Sequence, residues 1–159
     1  ACIVTEPIDF ELQENHPPVL LLHEPTDLMQ SVTLGDNGEQ VFRLVVWDPD
    51  DTDLEGVDAR IVIRRESDED DETPWTIDCL TPVLLDPDTL GDMSDRYAET
   101  GTLMEIMCKG LTNDEFVGTE IPGAFVLVSF EMADLGFVGS TPSVDAFSVS
   151  VSWQFRVME

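Results

Sequence analysis

From Phe147 to Val157 every second residue is apolar: Phe147, Val149, Val151, Trp153, Phe155 and Val157. The residues between them, Ser148, Ser150, Ser152, Gln154 and Arg156, are polar. A two-residue period places alternate side chains on opposite faces of an extended chain. The segment is therefore a long strand with one face buried and one in water. No segment of the chain sustains the helical period over three turns, so the rest of the fold is built to suit such strands.

Shorter runs repeat the pattern. Val19 to His23 is an apolar run after the pair Pro17-Pro18. Val41 to Trp47 carries Phe42, Leu44 and Val46 on one face. Ala59 to Arg65 has Ile61 and Ile63 inward, with Arg60 and Arg64 outward. Trp75 to Leu80, Leu103 to Lys109 and Ala124 to Met132 read as further strands, and Val83-Leu84-Leu85 as a short one. Pro, Gly and Asp turns separate them, Gly35-Asp36-Asn37-Gly38 being one example. A long polar connection from Asp86 to Gly101 holds at most a short helix near Met93 to Ala98. About seven to nine short strands with such turns predict an all-β fold, an antiparallel β-sandwich with long acidic loops. Residues 1–17, with Pro7, Pro17 and Pro18, read as an N-terminal tether, with room for one edge strand around Ile8, Phe10 and Leu12. Residues 18–159 read as a single sandwich domain.

Composition narrows the job. Seven basic against 34 acidic side chains give a formal charge of −27, with one lysine, Lys109. A phosphate backbone would be repelled, so nucleic acid is not an expected partner. Apolar residues are 42% of the chain, too many for a disordered acidic tail. No apolar run approaches the roughly 18 residues that a spanning helix needs. The run Glu66-Ser67-Asp68-Glu69-Asp70-Asp71-Glu72 reads as a hydrated hairpin tip, or as a contact for a basic partner. The acid excess also suits a salty habitat, where repulsion is screened.

The cysteines are Cys2, Cys79 and Cys108. In Trp75-Thr76-Ile77-Asp78-Cys79 the apolar parity puts Cys79 inward with Trp75 and Ile77. In Met104-Glu105-Ile106-Met107-Cys108 the same parity puts Cys108 inward. Two inward cysteines on neighbouring strands predict a buried disulfide, the alternative being two buried thiols. Closing a loop of about 30 residues is worth roughly 3 to 4 kcal/mol in the chain-entropy model. Cys2 is left over. Ala1-Cys2 resembles the end of a bacterial lipobox and the start of a mature lipoprotein, although lipoprotein processing cuts directly before the cysteine. The resemblance implies a diacylglycerol on Cys2, and so a membrane attachment through lipid only. A cross-link to a partner chain and an incidental thiol are the other readings of Cys2.

Phe42-Arg43-Leu44-Val45-Val46-Trp47-Asp48-Pro49-Asp50-Asp51-Thr52-Asp53-Leu54, followed by the Ile61-Val62-Ile63 strand, resembles bacterial immunoglobulin-like and cadherin-like envelope domains. It shares their strand, D-P-D turn and second strand. The resemblance implies an immunoglobulin-like sandwich. The 29-position spacing of Cys79 and Cys108 is shorter than the usual inter-sheet spacing of immunoglobulin domains.

Candidate chemistry is sparse. Asp48, Asp50, Asp51 and Asp53 place four carboxylates in one turn, a candidate Ca²⁺ site and the place the resemblance also favours. The other and leading reading of the same turn is a solvated acidic turn whose Asp side chains cap the backbone. Asp86, Asp88 and Asp92 form a second acidic group, but Leu90 occupies a ligand position and no distal glutamate is in register for an EF-hand. Trp47 has the parity opposite to Phe42, Leu44 and Val46. It either faces outward, able to stack on a sugar or fill a partner's pocket, or lies under a loop. No G-x-S-x-G, H-E-x-x-H, P-loop or G-x-G-x-x-G motif is present, and both histidines, His16 and His23, lie in the Pro-rich N-terminal part. The expected function is therefore non-catalytic. The expectation is a protein exported to a bacterial cell envelope, lipid-anchored in the periplasm or at the surface. There it would act as a structural or accessory subunit through contacts with other envelope or surface-assembly proteins. The alternative is a Ca²⁺-assisted carbohydrate-binding or adhesion module.

Overall fold

The computed structural model describes residues 15–50, 54, 56–66, 75–93, 97, 101–117 and 120–159, the side chains of Asp92 and Met93 excepted. The strands in chain order are β1 (Val19–Glu24), β2 (Met29–Thr33), β3 (Glu39–Gln40), β4 (Arg43–Asp48), β5 (Asp58–Arg65), β6 (Trp75–Asp78) and β7 (Val83–Leu84). They continue with β8 (Thr102–Met107), β9 (Leu111–Thr112), β10 (Phe125–Ala133), β11 (Phe137–Val138), β12 (Thr141–Pro142) and β13 (Ser148–Met158). An α-helix, α1, spans Asn113–Val117.

Two sheets carry the fold. One has the order β1-β4-β8-β7, the other β2-β13-β10-β5-β6. Every pairing in them is antiparallel except that of β2 with β13, which is parallel. The first sheet follows the A-B-E-D order and the second contains G-F-C, the immunoglobulin-like sandwich arrangement. The chain begins in one sheet and crosses to the other between β1 and β2, at the cis peptide Glu24–Pro25.

Parity explains the core. Leu44, Val46, Met104 and Ile106 face inward from the first sheet. Ile61, Ile63, Val126, Val128, Phe130, Met132, Trp153, Phe155 and Val157 meet them from the second. Phe42 fills the centre, with ring centroids 5.0 Å from Trp153 and 6.1 Å from Phe155. The Trp153 indole N–H donates to the Pro25 carbonyl at 2.7 Å, which pairs a buried donor with the backbone of the sheet switch. Below the core, α1 closes one end. Glu115 accepts the Thr112 amide at 2.8 Å, the reciprocal half of a capping box. Phe116 sits 5.1 Å from Phe155, ring to ring.

Two expectations need correction. Trp75 is 38% exposed rather than inward with Ile77, because β6 is an edge strand with no neighbour to cover its end; the ring lies beside the Arg65 guanidinium instead. The long connection carries helical turns at Pro87–Met93, kinked at Gly91, with the Asp88 amide donated to Asp86 Oδ1; in the Met93–Ala98 window Tyr97 is helical, and residues 94–96 and 98 lie outside the described residues. The two cysteines follow strands of different sheets, not neighbouring strands of one.

Candidate functional site

Cys79 and Cys108 are disulfide-bonded, with Cα atoms 4.3 Å apart. Cys79 ends β6, its amide donated to the Ala59 carbonyl; Cys108 ends β8, its amide donated to the Phe42 carbonyl. The next amide, Leu80, already pairs with Met107 of the other sheet at 3.0 Å. The bond therefore clamps the sandwich where the chain passes from one sheet to the other. The short spacing fits this place, since the crossing itself brings the strand ends together.

The Asp48–Asp53 turn is the first candidate site. Asp51 and Asp53 lie outside the described residues, as does Cys2. Asp48 is buried, and its Oδ1 accepts the Asp50 amide at 2.9 Å. The Asp50 carboxylate takes both the backbone amide and the ring of His16, with Nδ1 2.9 Å from Oδ2. Next to His16, the Asn15 side-chain amide donates to Asp134 Oδ2 at 2.9 Å and to the Asp145 carbonyl at 3.0 Å. Asp134 is 4% exposed, and its other oxygen accepts the Phe147 amide at 2.8 Å, fixing the start of β13. These acids thus seat the incoming N-terminal chain on one end of the sandwich. Among the described residues no group of three or more His, Cys, Asp or Glu side chains could hold a metal ion; this includes Asp86 and Asp88 of the second acidic group.

Trp47 is half-buried on the outer face of the four-stranded sheet, 5.4 Å from the Tyr97 ring, centroid to centroid. The connection after Asp86 covers it. Gly101 makes this return possible: a Cβ there would stand 2.6 Å from the Asp48 carbonyl oxygen and 2.9 Å from Trp47 Nε1, at φ +93°. On the same face Arg43 donates to Glu105, and to Glu24 at 3.3 Å. The hydrogen bond to Glu105 raises the Arg43 pKa above its ordinary value.

The opposite outer face, that of the five-stranded sheet, holds a groove of about 830 Å³. Val62, Arg64, Thr76 and Asp78 form part of its floor, the β11–β12 hairpin one wall and Cys79 to Pro82 the other. Arg60 shapes it. Its guanidinium donates to Glu131 Oε2 at 2.8 Å and to the carbonyls of Gly139 and Ser140, both at 2.8 Å. It also lies 3.9 Å from the centre of the Phe137 ring. The outward position of Arg60 is readable from parity; its partner is not, because Glu131 is 71 residues away and only the β5–β10 register brings the two opposite.

No family model matches the chain, and no curated protein matches it in sequence. Among solved structures, the crystal structure of AggA, the major subunit of aggregative adherence fimbriae type I from Escherichia coli, is similar over 91% of this chain and 96% of that one. The identity is 10% and the TM-score 0.35. A likeness that remote carries no argument about what this chain does.

Proposed function

We propose that this protein is a non-catalytic, exported subunit of an envelope or surface assembly, working through protein–protein contacts. The observation that carries the proposal is the Cys79–Cys108 bond, placed as the clamp between two sheets of an immunoglobulin-like sandwich. A disulfide in such a place suits an oxidising compartment outside the cytosol. Recognition rather than catalysis suits the groove, whose Arg60 is fully occupied in holding a hairpin. The N-terminal segment enters through His16 and Asn15 at one end of the sandwich, which suits a tether, with Cys2 as the proposed site of lipid attachment.

The test is intact mass of the protein isolated from its own envelope fraction, with and without reductant, together with its behaviour on native purification. The expected result is a gain of two hydrogens from Cys79 and Cys108 on reduction, a diacylglycerol-sized addition on Cys2, and co-purification in a stoichiometric complex. Recovery from the cytosol with Cys79 and Cys108 both alkylatable before reduction would end the proposal.

A further inference from the structure

We infer that the partner in this assembly is a second copy of the chain, joined head to tail: the lower outer face of the five-stranded sheet packs on the β7 edge of its neighbour. The inference rests on the reading of the chain as an assembly subunit and names the surfaces it would use.

The first surface is set by strand register. Leu127 stands between Arg64 and Gln154, and Phe125 stands beside Arg156. Arg156 in turn faces Ser31, and Gln154 faces Met29, across the parallel pairing with β2. All lie on the side away from the core, because their strand neighbours Val126, Val128, Phe155 and Val157 are buried. In the row above, Ser129 and Ser152 share a hydrogen bond of 2.9 Å. The result is a flat face with exposed Leu127, Phe125, Met29 and Met158 and two exposed arginines. Among the described residues neither Arg64 nor Arg156 has an ion-pair partner, in a chain with 34 acidic side chains. Among the described residues Glu66 and Glu159 border these rows, and the Glu66 carboxylate takes the Phe125 amide. Phe, Met and Arg are the residues enriched at interface centres.

The second surface is its chemical complement. β7 is a two-residue edge strand paired on one side, with β8. Leu80, Val83 and Leu84 on and before it are 61%, 60% and 65% exposed. Exposed Asp86 and Asp88 follow them. An apolar edge strand left bare invites pairing with another chain. Here an apolar strip edged with acids would meet an apolar face studded with unpaired arginines. Both occur on every copy, and at different places, so the contact is heterologous and propagates into rings or filaments. Elsewhere the copies, at −27 each, repel, which confines association to this pairing.

Sedimentation velocity of the full chain tests this. Wild type is expected to form larger species as concentration rises, and to dissociate as salt screens the contact. Two charge-reversed variants decide the surfaces: Arg64→Glu with Arg156→Glu on the face, and Asp86→Lys with Asp88→Lys on the edge. Each by itself sets like charges against each other and should associate roughly 100-fold more weakly. An equimolar mixture of the two restores opposite charges across the contact and should assemble again. Near-ultraviolet circular dichroism identical to wild type shows that each variant is folded. If either variant assembles as wild type does, or the mixture stays monomeric, the assigned surfaces are wrong. If wild type is monomeric at every soluble concentration but is held in a stoichiometric envelope complex with a different protein, this inference fails and the assembly reading survives. If it is monomeric and has no such partner, both fail.

Discussion

The two outer faces of this sandwich handle charge in opposite ways. On the four-stranded sheet, Arg43 is shared between Glu105 and Glu24, and Trp47 lies against Tyr97 under the long connection. Val45, pointing the same way, is wholly buried. On the five-stranded sheet, Arg60 is held like Arg43, but Arg64 and Arg156 stand open beside exposed Leu127 and Phe125. One face is finished by the chain's own loops; the other is left for something else to cover.

The largest effect expected is on the clamp shared by both sheets. Reducing Cys79–Cys108, or replacing both with Ala, should lower stability by roughly 3 to 4 kcal/mol for a 29-residue separation, read from urea midpoints. An unchanged midpoint would mean that the two sheets hold together without it. Next, Val45→Asp should cost about 3 to 5 kcal/mol, because it buries an uncompensated charge beneath the connection. Ser150→Asp, on the open face, should stay within about 0.5 kcal/mol. Equal losses would erase the distinction between covered and open faces. Arg43→Ala should cost about 1 kcal/mol, since the pair is only partly exposed. Arg64→Ala should change monomer stability by less than about 0.5 kcal/mol, and a larger loss would show that Arg64 is already paired within the chain. The smallest effect belongs to Glu115, whose pKa is lowered by the hydrogen bond from the Thr112 amide. Its folded pKa is the lower one, so its contribution is present above the ordinary carboxylate value of about 4.3. It is lost as pH falls through the folded value. Glu115→Gln should therefore slightly lower the neutral part of a stability–pH curve, leave its strongly acid end unchanged, and so flatten the acid limb between them.

What was legible in the sequence follows a simple rule. Segments with strong alternation, β5, β10 and β13, were placed to within a residue or two, because one buried face fixes every side chain in the strand. The inward sets Leu44 and Val46, Met104 and Ile106, and Ile61 and Ile63 were legible for the same reason. The strands β2, β3, β9, β11 and β12 were not, since two to five residues carry too little pattern and owe their extension to a partner strand. Arg60 and Arg64 pointed outward in the sequence, but their neighbours, Glu131 and Leu127, come from a distant strand. At the Asp48 turn, composition offered carboxylates, and the fold supplies His16 and the Asp50 amide as their partners.

The sequence by itself determined that this chain would be layered sheets, which parity decides locally because a side chain two positions away must share its face. Only the tertiary structure decided which acid meets which arginine and which face stays bare. Those are matters of register between strands tens of residues apart, and no local pattern contains them.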